Sequence, residues 1–156
     1  MTLDEKRQAL LDELSPFDDP RDRFQYIIDR AQATEGLDEE FKISSLLIEG
    51  CTSHLWMYPR HENGCCHFRA DADAIITKGI ATLVCDFYTG ATPDEVIETD
   101  TNFLTQVGIT QHLSPNRRNG LSNLVAKIRA FAEFIKNPPP PPETTEESPP
   151  LPSPDP

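Results

Sequence analysis

Cys51 follows Gly50 in the stretch Glu49-Gly50-Cys51-Thr52-Ser53-His54-Leu55-Trp56, and it is the chain's first candidate for chemistry. Apolar runs flank the stretch, Leu46-Leu47-Ile48 before it and Leu55-Trp56-Met57-Tyr58 after it. A glycine at such a seam allows a tight reversal or a close approach. A thiol placed on that turn is reachable, and a reachable thiolate is a nucleophile, whereas a buried cysteine is an inert small hydrophobe. Polar Thr52, Ser53 and His54 surround it. An imidazole nearby helps a thiolate form, although neighbouring residues on a strand face opposite ways. A carboxylate pair, Asp71 and Asp73, suits either acid–base work or the start of a helix, where acids complement the dipole. His112 and Arg117 lie in a polar stretch, Gln111 to Gly120, where a histidine titrates near neutrality and an arginine pairs with carboxylates.

The elements that must position these groups are legible from periodicity. Leu3, Leu10, Leu11 and Leu14 line one side of a helix over residues 3 to 14, which Ser15-Pro16 stops. Asp19 as N-cap and Pro20 at the first helical position begin a second, with Phe24, Ile27, Ile28 and Ala31 as its buried stripe. From Phe41 to Arg69 the period shortens. Ile43 to Ile48, Leu55 to Tyr58 and Cys66 to Arg69 are expected as three strands of an antiparallel meander, with Asn63-Gly64 turning between the last two. Asp71 and Asp73 are expected to open a long helix that runs to Phe87, is apolar on most sides and is therefore central, and Gly90 ends it. Short helices are expected over 93–98, after the Thr92-Pro93-Asp94-Glu95 cap, and over about 101–107, before Gly108. Ser114-Pro115 begins the last helix, striped by Leu121, Leu124, Val125, Ile128, Phe131 and Ile135.

Composition narrows the function classes. The 156 residues fit one domain, read here as 1–136, followed by a Pro-rich acidic tail over 137–156 with disordered or polyproline II character. The net charge is −12, which disfavours nucleic acid, a polyanion bound through lysine and arginine. Four of those charges sit in the tail at Glu143, Glu146, Glu147 and Asp155. The rest of the chain is still acidic, which steers it toward a basic partner surface. No window offers the ~20 apolar residues of a membrane span, and the charged N-terminus lacks a signal-peptide core, so a cytoplasmic location is expected. The cysteines Cys51, Cys65, Cys66 and Cys85 show no two-residue metal or redox spacing. Phosphate-binding glycine loops, nucleophile elbows and metal-binding helix motifs are missing, so no cofactor is expected on this chain.

Four blocks in order resemble the SufE family of sulfur-acceptor proteins, over about Pro16 to Phe134. They are Gly50-Cys51-Thr52-Ser53-His54-Leu55-Trp56, His67-Phe68-Arg69-Ala70-Asp71-Ala72-Asp73-Ala74 with Lys78-Gly79, Thr92-Pro93-Asp94-Glu95, and Thr110-Gln111-His112-Leu113-Ser114-Pro115-Asn116-Arg117. Each block alone is weak; their order and spacing make the resemblance. Leu46 and Leu47 depart from it, standing where the family often has asparagine and a basic residue. The resemblance implies an α+β fold of the SufE/IscU type: a three-stranded antiparallel sheet packed with helices, two of them N-terminal, and a long C-terminal helix. It also implies a role as sulfur acceptor and activator for a PLP-dependent cysteine desulfurase of the SufS or CsdA kind. Cys51 would carry the persulfide toward an iron-sulfur assembly scaffold, and PLP would belong to the partner. Gly50 would hinge the loop, and Ser53, Asp73, His112 and Arg117 would shape the docking surface around it. The alternative is an IscU-like metal or cluster scaffold, with Cys51, Cys65 or Cys66, and His112 as ligands.

Overall fold

The computed structural model describes residues 2–49 and 53–138. The elements in chain order are α1 (Leu3–Leu14), α2 (Pro20–Gln32), β1 (Leu55–Glu62), β2 (Cys65–Ala72), α3 (Ile75–Tyr88), α4 (Pro93–Glu98), α5 (Phe103–Gln106) and α6 (Pro115–Lys136). Local chemistry sets most of the boundaries. Thr2 and Glu5 form a capping box on α1, and Thr92 and Glu95 form one on α4. The Asp19 carboxylate accepts from Arg21 N–H at the head of α2, and Ser114 caps α6. Pro20, Pro93 and Pro115 each sit at a helix start, where the missing N–H costs nothing.

β1 and β2 pair antiparallel from Leu55↔Ala72 to Glu62↔Cys65. Asn63 (φ 53°) and Gly64 (φ 79°) make the turn; two successive left-handed residues match the twist of the flanking strands. Alternation then sorts the side chains. Leu55, Met57, Cys66, Phe68 and Ala70 enter the core, while Cys65 is only half-buried.

The expected third strand does not form. Among the described residues the sheet has two strands. Ser44–Leu46 is a single 3-10 turn, and only Leu47 bridges to Trp56, with Ile48 N–H donating to Leu55 O at 2.7 Å. Adjacent Ser44 and Ser45 interrupt the apolar run with hydroxyls that compete for the backbone, and Ile43 stays half exposed instead of pairing.

The central helix also begins later than expected. β2 continues through Ala72, and α3 starts at Ile75 with Ala74 as an N-cap that makes no side-chain bond. Neither Asp71 nor Asp73 caps it. Asp71 is buried inside β2, where pairing with Trp56 keeps its backbone extended. α3 is the hub, buried at ten of its fourteen positions and packed on β2, α2, α6 and α1. Its C-terminal end is tied down twice. The Thr89 hydroxyl accepts from Phe68 N–H at 3.0 Å and lies 2.7 Å from Cys85 O. The Lys6 ammonium of α1 donates to the carbonyls of Asp86, Phe87 and Thr89 at 3.0, 3.3 and 2.6 Å, a cation on the negative end of the helix.

Candidate functional site

Gly50 and Cys51 lie outside the described residues; the residues that frame them do not. The Ile48 N–H to Leu55 O bond closes the base of a loop over residues 49–54. On one side Asn123 of α6 donates its amide to Glu49 O at 2.7 Å. On the other, Asp73 N–H donates to His54 O at 3.0 Å. Both ends of the loop are therefore anchored to different elements, α6 and the β2–α3 junction. Ser53 is half-buried at the second end.

His54 and Asp73 form a pair, with His54 Nδ1 2.8 Å from Asp73 Oδ2. The imidazole also stacks on Trp56, ring centres 5.4 Å apart and planes 21° from parallel. Lys42 Nζ sits 5.6 Å from the centre of the Trp56 ring. Asp71 lies behind this group. Its carboxylate accepts from Leu37 N–H at 3.0 Å and from Ala72 N–H at 2.9 Å. Lys42 and Lys78 ammonium groups lie 3.4 and 3.5 Å away. Burial pushes the Asp71 carboxyl up, but the two N–H donors and the two lysines outweigh it and hold it below the usual carboxylate value. A Cβ at Gly36 would collide with the Asp71 carboxylate, so glycine is required for that close approach.

Arg117 and the loop's neighbour Leu55 share an apolar depression, lined also by Thr77, Ile80, Leu113 and Leu121. The Arg117 backbone N–H bonds Ser114 Oγ, and among the described residues no carboxylate pairs with its guanidinium. The Thr77 hydroxyl is buried there, with no hydrogen-bond partner among the described residues. His112 is placed differently. Leu113 beside it lines the depression, and its own ring is exposed, with Nδ1 2.7 Å from Gly108 O. Of the expected residues, then, Arg117 lines the depression that Leu55 shares and Asp73 holds the loop's end, while His112 is occupied by its own turn.

Of the alternative ligand set Cys51 lies outside the described residues, and among the described residues no three His, Cys, Asp or Glu side chains gather as a metal site. Cys66 and Cys65 open β2 beside the hairpin turn, six and seven residues along the ladder from Leu55, or roughly 20–23 Å at ~3.3 Å per residue. Cys66 is fully buried, and burial followed by the neighbouring Cys65 pushes its thiol up. Cys85 is buried and raised further still. Both are packing residues. Lys42 and Thr77 join the site without any local signal in the sequence. Trp56, Asp71 and Lys78 stand in the four motif blocks, but only the fold brings Lys42 and Lys78 to the Asp71 carboxylate.

A two-stranded antiparallel hairpin packed on a central helix, with further helices around it, is an α+β fold seen among solved structures. The fold matches the solution structure of a hypothetical protein from Thermus thermophilus at a TM-score of 0.68, with 17% identity, covering 84% of this chain and 96% of that one. By sequence, the family described as SufE, an Fe-S metabolism associated domain, matches residues 8–132, and the chain belongs to that family. It is 30% identical over 129 residues to an uncharacterized SufE-like protein of Rhizobium etli, covering 80% of this chain and 87% of that protein. It is also 30% identical over 106 residues to an uncharacterized SufE-like protein of Synechocystis, covering 68% and 67% respectively. No helix among the described residues is long and apolar enough to cross a membrane.

Proposed function

We propose that this protein accepts sulfane sulfur on Cys51 from a PLP-dependent cysteine desulfurase, activates that enzyme by clearing its persulfide, and delivers the sulfur to an iron-sulfur assembly scaffold. The observation that carries the reading is membership of the SufE family, with Cys51 standing in its Gly-Cys block. In the transfer, the Cys51 thiolate attacks the outer sulfur of the donor persulfide. The donor's S–S bond breaks as a new one forms to Cys51, and the donor cysteine leaves as a thiolate. No external oxidant or reductant is needed.

The surroundings suit that task. A carrier thiol must be reachable by another protein yet guarded from stray oxidants and thiols. The residues on either side are anchored, Glu49 by Asn123 and His54 by Asp73, and Leu55 lines an apolar depression shared with Arg117. Gly50 is the hinge in this reading, and the Arg117 guanidinium, which no described carboxylate neutralises, is offered to the incoming persulfide anion or to the partner. Ser53, Asp73 and His112 complete the docking surface.

The test is mass spectrometry of the Cys51 peptide after incubation with a cysteine desulfurase and cysteine. Added sulfur atoms on Cys51, together with loss of desulfurase stimulation in Cys51→Ser, are expected. Full stimulation by Cys51→Ser would reduce the protein to a docking module.

A further inference from the structure

We propose that the groove between α6 and residues 101–110 binds an extended acidic segment of a partner protein, with its carboxylates on Arg118 and Arg129. The site is built wholly from this part of the fold and is independent of the sulfur chemistry proposed above.

One wall of the groove is a single face of α6. Arg118, Ser122 and Arg129 line it, with Leu121 and Val125 as its apolar part. Eleven residues separate the two arginines, close to three full turns, so both stand on the same side of the helix, roughly 16 Å apart at ~1.5 Å per residue. Thr101, Thr105 and Thr110 line the groove from the other segment.

Both guanidinium groups lack a counter-ion. Among the described residues neither pairs with a carboxylate. Arg118 is exposed, and water satisfies it; Arg129 is half-buried. Its Nη2 donates to Thr99 O at 3.3 Å, a carbonyl that already accepts from the Tyr88 hydroxyl at 2.7 Å. Its Nε is buried and has no hydrogen-bond partner among the described residues. Taking a guanidinium out of water is costly unless an anion or a full set of acceptors compensates. Asp100, next to Thr101, does not compensate it. That carboxylate accepts from Asn102 N–H at 2.9 Å and from the Asn102 amide at 3.2 Å. In a chain of net charge −12, two arginines without acids along one groove are a local reversal of sign.

The spacing names the class of ligand. A guanidinium binds a carboxylate as a planar fork. A lone small anion meets one arginine, whereas an extended chain rises ~3.3 Å per residue, so about five residues span both. Side chains alternate along such a chain, and acids four residues apart therefore point the same way. Ser122, Thr105 and Thr110 bring hydroxyls that both donate and accept, as a peptide backbone requires. Because the rest of the molecule repels acids, only a segment whose carboxylates match both positions gains.

The test is fluorescence anisotropy of a labelled six-residue peptide, with glutamates at its first and fifth positions and serines elsewhere, titrated with the full chain. Saturable binding that weakens with added salt is expected, and none for the peptide with glutamines in place of the glutamates. Arg118→Gln changes an exposed position and leaves the fold intact; it should lose about fivefold in affinity. Arg129→Gln should lose about tenfold, read beside its melting temperature because Arg129 also holds Thr99 O. Lys127→Gln makes the same charge change on α6 outside the groove and should lose less than about twofold. Absence of saturable binding by the wild type overturns the proposal. So does an equal loss in Lys127→Gln, which reduces the effect to diffuse attraction. Displacement of the peptide by inorganic phosphate at equal concentration makes the groove a small-anion site and overturns the peptide reading. Binding that appears only after truncation at Asn137 assigns the groove to the chain's own tail and overturns the partner.

Discussion

Thr77 shows what one atom can report. Its hydroxyl is buried in the depression beside Leu55 and Arg117 and has no partner among the described residues, although a helical threonine can ordinarily reach the carbonyl four residues back. An unpaired buried hydroxyl costs about 1–3 kcal/mol of desolvation. Thr77→Val removes that cost at nearly the same shape. The variant should be more stable by about 1 kcal/mol, raising Tm by roughly 3 °C in a thermal melt. A lower Tm would mean that the hydroxyl is paired in solution. The same reasoning separates the thiols. Burial makes Cys66 and Cys85 poor nucleophiles, and half-buried Cys65 lies at the wrong end of the hairpin to assist Cys51.

At the scale of elements, Asp71 is the junction. One carboxylate joins β2 to the backbone at Leu37, to Lys42 ahead of β1 and to Lys78 on α3. Because Lys42 also approaches Trp56, on which His54 stacks, the junction underlies the loop's anchor as well. Its folded pKa lies below the ordinary value of 3.8. The stabilisation is therefore complete above that value and is lost as pH falls below it through the folded pKa. Asp71→Asn should cost about 2 kcal/mol near neutrality, since it leaves two lysines without their partner at a buried site. Denaturant titrations should show the wild-type and variant stabilities converging as pH falls below 3.8 through the folded pKa. A difference that stays constant through that fall would assign the loss to packing instead.

At the scale of the whole molecule, a family match over residues 8–132 and a helix that ends at Lys136 leave the Pro-rich remainder outside the family's domain. Asp94 pairs with Lys136, so the last turn of α6 still belongs to the fold. Truncation after Asn137 should leave both Tm and sulfur loading of Cys51 unchanged, and a fall in either would give the tail a part in folding or in docking. The chain up to that point keeps its acidic excess, which favours approach to a basic surface on the partner.

Sequence alone determined the helices other than the start of α3, and the hairpin turn, because each is written in neighbours: Asp19 with Pro20, Thr92 with Pro93 and Glu95, Asn63 with Gly64. It also marked Cys51, since a Gly-Cys block in a family pattern is a local signal. Tertiary structure decided what depends on distant partners. It denied residues 43–48 a strand, leaving one bridge at Leu47, and took Asp71 from the head of α3 into a buried ionic junction. It joined His54 to Asp73, nineteen residues on, and turned His112 toward Gly108. The physical reason is range: caps and turns are settled within four residues, whereas the pairing of a buried charge or the pose of an imidazole is settled by whichever chain segment packs against it.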